Sequence, residues 1–378
     1  MRRDNRTNFV LKSLGVLLIT IMFSFVAMAI TNYNNVGNLV TVARLIQGEY
    51  LERVDAGVLI EGAIKGMVEA LDDPYSSYLE PETLKRFHDQ IEMSFGGLGI
   101  VVGYQGDNLM VRKVFEDSPA EQEGIQSGDI ILEVDGTPTE GMDLETAVGL
   151  MRGEVGTKVE LVLKREGEPA PLRIIVTRDT IYTPTVDAEM LEDGLGYITI
   201  YMFAYNTGSE TTYAVNSLEE QGMTSLILDL RGNPGGELNS AIIVADLFVE
   251  NGPIVHIDHR AGTDQTHYAN GNAVDVPLVV LVDENSASAA EIVAGAIKDT
   301  GVGKLVGMKT YGKGVVQAVF PLADESGLKL TTARYLTPAR HDLNRRGVAP
   351  DVVVEQGPDA ETDVQLETAI SLLKAGNA

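Results

Sequence analysis

The sequence contains no cysteine among its 378 residues. This absence excludes a disulfide scaffold, thiolate zinc sites, cysteine nucleophiles and lipid attachment through cysteine. Basic residues are also scarce, because 29 Lys and Arg stand against 55 Asp and Glu and give a formal net charge of −26. A surface that binds nucleic acid needs clustered cations to displace counterions, so this charge balance argues against a nucleic-acid partner.

Several common catalytic motifs are missing as well. The chain has neither the H-E-x-x-H of a zinc helix nor the G-x-S-x-G of a nucleophile elbow. Gly307, Gly312 and Lys313 match the spacing of a phosphate-binding loop, but Gly314 stands where that loop needs Ser or Thr. We therefore expect neither a metal nor another cofactor. The composition, with 44% hydrophobic and 22% charged residues, is that of a globular protein with two or three domains.

The amino terminus carries a long apolar stretch. Residues 13–30 are uncharged, mostly apolar and just long enough to cross a bilayer core of about 30 Å. The basic residues before this stretch predict that the N-terminus stays in the cytoplasm and that the rest is exported. Ala27-Met28-Ala29 fits a signal cleavage site, so a removed signal peptide and a secreted product are the alternative. We expect residues 1–30 to form an uncleaved anchor in the cell membrane, with a single-pass topology.

The rest of the chain divides into four regions. Residues 31–93 have helical spacing of apolar positions, and residues 94–179 have the short strands and glycine turns of a compact β unit. In residues 180–356, strands and helices alternate from residue 194 onward, which predicts an α/β core with a largely parallel sheet. One acidic amphipathic helix follows in residues 357–378. The predicted fold class is multidomain α+β.

The first candidate for chemistry is Ser288, which lies where an apolar strand runs through small residues into a helix. A serine at such a turn has free backbone N–H groups beside it at the positive end of the helix dipole, which suits an oxyanion. A structural alternative is equally simple. Ser288 and Glu291, three residues later, form the pattern of a capping box.

The second candidate is Lys313, between Gly312 and Gly314 and just before a strand pattern. Lys313 and Gln317 would share one strand face, so the glutamine could orient the lysine. Burial lowers the pKa of a lysine and makes it a usable general base. The alternative is a solvated lysine in a hairpin. The glycine-rich loop of residues 229–236 could direct N–H groups into the same site, or it could be only a tight turn.

Together, in this order and spacing, these segments resemble the carboxy-terminal processing peptidases, also called tail-specific proteases. The resemblance covers nearly everything after residue 30. Its motifs are Leu71-Asp72-Asp73-Pro74-Tyr75-Ser76-Ser77-Tyr78-Leu79, residues 229–236, Ser286-Ala287-Ser288-Ala289, Gly312-Lys313-Gly314, Tyr335-Leu336-Thr337-Pro338 and Gly347-Val348-Ala349-Pro350-Asp351. The resemblance implies an α/β protease core of the ClpP/crotonase type, an inserted PDZ β domain, and helices at both ends of the chain.

The resemblance also implies a catalytic dyad. It places the nucleophile at Ser288 and the general base at Lys313, with Gln317 orienting the lysine. Asp299 matches a carboxylate that supports the site in some members of the family. The reaction would pass through an acyl-enzyme.

The oxyanion hole implied by the resemblance has two backbone donors. One is the N–H of Ala289, and the other comes from Gly235 or Gly236. The sequence does not decide between the two glycines.

The middle β unit resembles a PDZ domain. Gly97-Leu98-Gly99-Ile100 matches the loop whose N–H groups bind a free C-terminus while the peptide adds as a strand. Leu98 and Ile100 would border an apolar pocket, so the expected partner is a protein or peptide with a free, apolar C-terminus. Arg152 looks like the arginine that couples the PDZ domain to the protease in relatives. The alternative is a β domain used only for packing.

The expected function is therefore a membrane-anchored, extracytoplasmic serine endopeptidase that binds protein tails through its PDZ domain and cleaves near the tail. The terminal helices resemble dimerisation elements, so we expect a homodimer. The alternative is a catalytically inactive, membrane-anchored PDZ scaffold. The intact pair of Ser288 and Lys313 favours the enzyme.

Overall fold

The computed structural model describes residues 36–92, 94–106, 108–260, 262–357 and 362–376. The chain forms two compact units that divide after Tyr78. In the first unit, residues 36–49 are helical (α1) and are followed by α2 (Ala56–Glu69). The Asp55 side chain caps α2 by accepting a hydrogen bond of 2.7 Å from the amide of Gly57. A short strand, β1 (Ser77–Leu79), lies at the division between the units.

The second unit begins with α3 (Pro81–Glu92) and a compact β region. β2 (Ser94–Gly97) pairs with β9 (Asp179–Tyr182) beside a sheet in the order β3-β4-β5-β7-β8, with β6 on β5. Its elements are β3 (Ile100–Gln105), β4 (Asn108–Val114), α4 (Pro119–Gln122), β5 (Ile130–Val134), β6 (Thr137–Pro138), α5 (Leu144–Met151), β7 (Lys158–Lys164) and β8 (Leu172–Thr177). Alternate residues such as Val111, Leu161 and Leu163 are fully buried and form the core of this region.

The α/β core is built on a sheet in the order β10-β11-β12-β15-β16-β19. Its strands pair in parallel, apart from β10, which runs antiparallel to β11. Its elements are β10 (Val186–Met190), a 3-10 turn (Glu192–Gly194), β11 (Leu195–Ile200), α6 (Thr207–Glu220), β12 (Ser225–Asp229), α7 (Leu238–Asp246), β15 (Leu278–Val282), α8 (Ala289–Thr300), β16 (Lys304–Gly307), β19 (Val352–Val353) and α9 (Val364–Lys374). The predicted multidomain α+β organisation with a largely parallel α/β core is confirmed.

Helices cover both faces of this sheet, which explains its nearly continuous apolar strands. Leu226 and Leu228 point to the side of α6, α7 and α8, whereas Ile227 between them points to α9. All five residues of β15 are buried. The carboxyl ends of β12 and β15 are neighbours, so the segments that follow them meet at one edge.

A second, antiparallel sheet completes the core. It contains β13 (Pro253–His259), β14 (Gln265–Tyr268), β17 (Val315–Pro321) and β18 (Gly327–Leu336). β18 pairs with both β13 and β17. The register of β17 on β18 shifts between Val316 and Gln317, which marks a β-bulge. Lys313 lies just before β17, so this sheet determines where the lysine lies.

The structure corrects the predicted location in a membrane. Among the described residues, no helix is long and apolar enough to cross a bilayer. The helices α2 and α6 have 14 residues each. Such a helix reaches about 21 Å, short of a hydrocarbon core of about 30 Å. The predicted anchor, residues 13–30, lies outside the described residues. On this finding, the prediction of a single-pass membrane protein, or of a product secreted after cleavage at Ala29, is not retained.

Candidate active site

A cavity of about 460 Å³ lies in the second unit. It is bordered by six of the predicted site residues, which lie as many as 82 positions apart in the sequence. The predicted site residues that border it are Gly235, Gly236, Ser288, Ala289, Lys313 and Gln317. Apolar groups such as Phe87, Met202 and Ile292 line the rest of the cavity. Polar groups that converge in a mostly apolar cleft are typical of an active site.

Ser288 lies in the turn between β15 and α8, directly before the first helical residue. Its backbone has φ +55° and ψ −113°, a conformation that L-residues rarely adopt. The amide of Ala287 donates to the carbonyl of Asn233 (2.9 Å), and the hydroxyl of Ser286 donates to the carbonyl of Leu230 (2.8 Å). These bonds hold the strained turn against the loop that follows β12.

The capping alternative for Ser288 is also visible in the structure. The amide of Ser288 donates to Oε2 of Glu291 over 2.9 Å, as in a capping box. The serine nevertheless borders the cavity rather than being enclosed in the core. Helix capping and a place at the site are therefore compatible here.

Lys313 is half-buried at the cavity. Burial lowers its pKa below the usual value for lysine, the positive charge of Lys329 lowers it further, and the charge of Glu291 acts in the opposite direction. The flanking glycines allow close packing of the loop. A Cβ on Gly314 would lie 2.4 Å from the amide nitrogen of Asn344, and Gly312 has φ +93°. The lysine is thus held at a crowded position where its charge is disfavoured.

The predicted relation between Lys313 and Gln317 is only partly as expected. β17 begins at Val315, after the lysine, and its bulge lies between Val316 and Gln317. Simple alternation therefore does not hold over residues 313–317, because a bulge adds one residue to the strand. Gln317 still borders the same cavity, and its buried Nε2 has no hydrogen-bond partner among the described residues.

Lys329 is a residue that sequence reasoning missed. It lies on β18 opposite Val319, and its Nζ is 5.4 Å from the centroid of the Phe87 ring. Phe87 belongs to α3 and also borders the cavity. This cation–π contact fixes a second positive charge close to Lys313. A prediction that β17 and β18 form a hairpin would have brought this residue near the site.

The glycine loop after β12 approaches Ser288 closely. Gly235 has φ +95°, and a Cβ on it would lie 2.7 Å from Cβ of Ser288. Gly236 has φ +139°, and a Cβ on it would lie 1.9 Å from the carbonyl oxygen of Phe203. Both positions therefore require glycine.

The two glycine amides differ in their partners. The amide of Gly235 donates to Oδ1 of Asn233 over 2.8 Å. Gly236 pairs with Phe203 in an isolated parallel bridge. In this bridge, the amide of Phe203 donates to the carbonyl of Gly235, and the amide of Glu237 donates to the carbonyl of Phe203. The N–H of Gly236 points away from that bridge and donates to no residue that the structure describes. Ala289 is the first residue of α8, where an amide has no acceptor within the helix.

Asn233 is a second residue that the sequence did not single out. It is fully buried, accepts from Gly235, and donates from Nδ2 to the carbonyl of Ile200 over 2.7 Å. Its own carbonyl accepts from Ala287. Asn233 thus connects the glycine loop to both β11 and the turn of Ser288. The loop motif contained it, but nothing in the sequence indicated which of its side chains is internal.

The predicted peptide-binding residues border a separate cavity of about 290 Å³ in the β region. Leu98, Gly99, Ile100 and Arg152 all lie on it. Gly99 has φ +78°, and a Cβ there would lie 2.2 Å from Cβ of Ser118. The guanidinium of Arg152 stacks on the Phe95 ring at 4.1 Å from its centroid. The lining is mostly apolar with one fixed cation.

Asp299 is not brought to the active-site cavity. It lies near the end of α8, eleven positions after Ser288, which corresponds to about 16 Å along a helix. Its Oδ2 accepts from the amide of Ala339 over 2.9 Å, and Nδ1 of His341 lies 3.4 Å from its Oδ1. Its position indicates that it holds the turn after β18.

No cluster of metal ligands occurs in the part of the chain that the structure describes. No group of three or more His, Cys, Asp or Glu side chains converges there. His256 is nearly buried, with Nδ1 2.8 Å from the hydroxyl of Thr266 and Nε2 3.2 Å from the carbonyl of Pro338. Both of its ring nitrogens are thus engaged by the protein.

Family models match three parts of the chain. Residues 194–354 match the model described as peptidase family S41, and residues 110–165 match a PDZ domain. Residues 26–83 match a model described as the N-terminal domain of the activating protease CtpB. These matches agree with the order of the segments described above.

Whole-chain comparisons give the same result. The carboxy-terminal processing protease CtpA of Bacillus subtilis is 39% identical over 312 residues, covering 82% of this chain and 67% of the relative. A carboxyl-terminal-processing protease of Synechocystis sp. is 39% identical over 329 residues, covering 84% and 77%. Among solved structures, a photosystem II D1 C-terminal processing protease is similar with a TM-score of 0.52 and 31% identity, covering 90% of this chain and 97% of that one.

Proposed function

Because this chain belongs to peptidase family S41 and is a carboxy-terminal processing serine protease with a PDZ domain, we propose that Ser288 is its nucleophile and Lys313 its general base. The observation that carries the proposal is the convergence of both side chains on one cavity, with the lysine pKa lowered there. The alternative of an inactive scaffold is set aside, since the relatives that establish the family are proteases.

The chemistry follows from these positions. Neutral Lys313 accepts the proton of the Ser288 hydroxyl while the serine oxygen bonds to the scissile carbonyl carbon. The tetrahedral intermediate collapses, the carbon–nitrogen bond breaks, and the lysine ammonium gives its proton to the departing amine. Lys313 then deprotonates a water that attacks the ester, and Ser288 leaves with the returned proton. A lysine with a lowered pKa suits both roles.

We assign the oxyanion hole to the N–H groups of Ala289 and Gly236. The Gly235 amide already donates to Asn233, so using it would break a buried hydrogen bond. The Gly236 amide lies on the same loop and points away from its bridge to Phe203. Backbone donors fixed in this way stabilise the developing negative charge without reorganisation.

The PDZ cavity is proposed to bind the substrate tail. Its apolar lining suits an apolar last side chain, and the loop around Gly99 suits a terminal carboxylate. The substrate class is therefore a protein with a free, apolar C-terminus. Binding the tail at one cavity and cutting at another places the cleavage near the C-terminus.

A homodimer is a further part of the proposal. Within the first unit, Leu39, Val42 and Leu45 of α1 and Val58 and Met67 of α2 are exposed. Exposed apolar side chains on neighbouring helical segments are typical of a protein interface. Light scattering of the protein and of Leu45→Glu tests the assembly, with a dimer expected for the former and a monomer for the latter.

The central experiment compares cleavage of a peptide with an apolar C-terminus by the wild type, Ser288→Ala and Lys313→Ala. We expect cleavage only by the wild type. Cleavage that survives both substitutions would rule out the assigned dyad. A peptide amidated at its C-terminus serves as the matched substrate control and should be cut less efficiently.

A further inference from the structure

Glu291 is a charged side chain enclosed in the core beside the site. It lies in the first turn of α8 and is fully buried. Its Oε1 accepts from the hydroxyl of Thr310 (2.6 Å) and the amide of Gly312 (2.7 Å). Its Oε2 accepts from the amides of Ser288 (2.9 Å) and Lys313 (2.8 Å). Four donors thus converge on one carboxylate.

The carboxylate accepts more hydrogen bonds than helix capping needs. Of the four bonds that the carboxylate accepts, a capping box needs only the one from the amide of Ser288. The other three donors belong to residues 310–313, the loop that carries the lysine. A carboxylate without bound donors would be costly to bury, so both segments must hold these positions for the core to accept it. One oxygen, Oε2, is bonded to the backbone of both proposed dyad members.

We propose that Glu291 is the positioning residue that fixes the backbones of Ser288 and Lys313 relative to each other. This inference rests on the proposed dyad. Glu291 touches neither substrate nor reacting atoms in this account, and it acts through the two amides.

The carboxylate has a second, electrostatic consequence. Its negative charge favours the ammonium form of Lys313, whereas burial and Lys329 on β18 favour the neutral amine. Glu291 on α8 and Lys329 on β18 are two charged groups that act on the lysine, and they act in opposite directions. Removing the charge of Glu291 therefore lowers the pKa of Lys313, which a purely structural residue would not do.

The test measures how fast a fluorophosphonate probe labels Ser288 at a series of pH values. Labelling forms an oxygen–phosphorus bond at the serine, expels fluoride, and transfers the serine proton to the base. In Glu291→Gln, only one amide oxygen can accept, so at least two of the four donors lose their partner. We expect labelling to slow by about 10- to 100-fold, because misplaced reacting groups react more slowly. We also expect the acid limb of the profile, the pH range over which the labelling rate rises as Lys313 loses its proton, to move to lower pH.

Variants of Thr310 test the same bonds more gently. Thr310→Val removes one donor to Glu291 and the acceptor of the Val348 amide, while Thr310→Ser keeps the hydroxyl that makes both bonds. We expect Thr310→Val to label several-fold more slowly at every pH and Thr310→Ser to stay near the wild type. Glu210→Gln is the matched control, because Glu210 is half-buried and accepts three hydrogen bonds from Thr185 and Asn206. It should change thermal stability without moving the acid limb.

The outcomes separate this inference from the dyad. If the wild type is not labelled at Ser288, or if Lys313→Ala is labelled as fast as the wild type, the proposed dyad is wrong. The inference about Glu291 is then wrong as well, because it depends on the dyad. If the dyad holds and folded Glu291→Gln labels at the wild-type rate with an unmoved acid limb, the positioning role is overturned. If Glu291→Gln does not fold, equal rates for Thr310→Val and Thr310→Ser overturn it instead.

Discussion

Arg231 and Asp363 join two distant segments of the core through an ion pair, with Nη2 2.8 Å from Oδ2. Arg231 follows β12 at the start of the glycine loop, and Asp363 is the N-cap of α9. The same guanidinium also binds Asp229. The C-terminal helix is thereby attached to the loop that supplies the proposed oxyanion donor.

This ion pair predicts an acid-sensitive attachment of α9. Burial raises the pKa of Asp363, but hydrogen bonds from Arg231 and Leu366 outweigh it and hold the pKa below the usual value for aspartate. A carboxylate with a depressed pKa stabilises the fold above its unfolded pKa of about 3.9, and this contribution is lost as the pH falls through the folded pKa. We expect the free energy of unfolding to decrease over that acidic window.

Two substitutions of Asp363 distinguish its contribution as the N-cap of α9 from its ion pair with Arg231. Asp363→Ala loses both and should lower the free energy of unfolding by about 1–2 kcal/mol, whereas Asp363→Asn keeps a capping oxygen and should lose less. Urea unfolding at neutral and acidic pH measures both. Equal losses for the two variants, with an unchanged acid dependence, would show that the ion pair contributes nothing.

Lys329 predicts a shift in the pH profile of the protease. Its charge lowers the pKa of Lys313, so Lys329→Met should raise that pKa and leave less neutral lysine at a given pH. The acid limb of kcat/KM should therefore move to higher pH, opposite in direction to the shift expected for Glu291→Gln. Lys304→Met, at an exposed lysine on β16, is the matched control. An unmoved limb in folded Lys329→Met would contradict the electrostatic role.

Asn233 predicts a loss of turnover rather than of substrate binding. Asn233→Ala frees the amide of Gly235 and loosens the loop that presents Gly236. We expect kcat to fall by about 10- to 100-fold with a smaller change in KM, because the proposed oxyanion donor on this loop would act on the transition state. The loss of buried hydrogen bonds should also lower the free energy of unfolding by about 1–3 kcal/mol. Asn285→Ala, at an exposed asparagine, should leave kcat unchanged.

The PDZ cavity predicts a defect confined to tail binding. Ile100→Asp places a charge in an apolar lining, so a peptide with an apolar C-terminus should bind about tenfold more weakly or worse. Fluorescence anisotropy of a labelled peptide measures this change. In Ile100→Asp, labelling of Ser288 by a fluorophosphonate should stay the same. In the control variant Val155→Asp, which changes an exposed residue, peptide binding should also stay the same. Unaltered anisotropy in Ile100→Asp would place the tail elsewhere.

The sequence predicted the fold well where local pattern determines it. The alternation of strands and helices after residue 194 gave the parallel core, because strands covered on both faces are continuously apolar. The sequence also singled out Ser288 and Lys313, which border one cavity in the structure, because each is flanked by small residues next to a strand. The order and spacing of the motifs then indicated the family.

Other features depend on tertiary packing and were not predictable. The assignment of Gly236 over Gly235 depends on the side chain of Asn233, which no periodicity orients. Lys329 reaches the site only through the pairing of β17 with β18. Asp299 was expected to support the site, but the length of α8 carries it away from Ser288.

The most direct test of the dyad is intact mass measurement of the enzyme quenched during turnover of a peptide with an apolar C-terminus. In the wild type, we expect an adduct on Ser288 with the mass of the amino-terminal product. Ser288→Ala should show neither adduct nor product, and Lys313→Ala should form the adduct far more slowly. Product formation by Ser288→Ala at the wild-type rate would contradict the account.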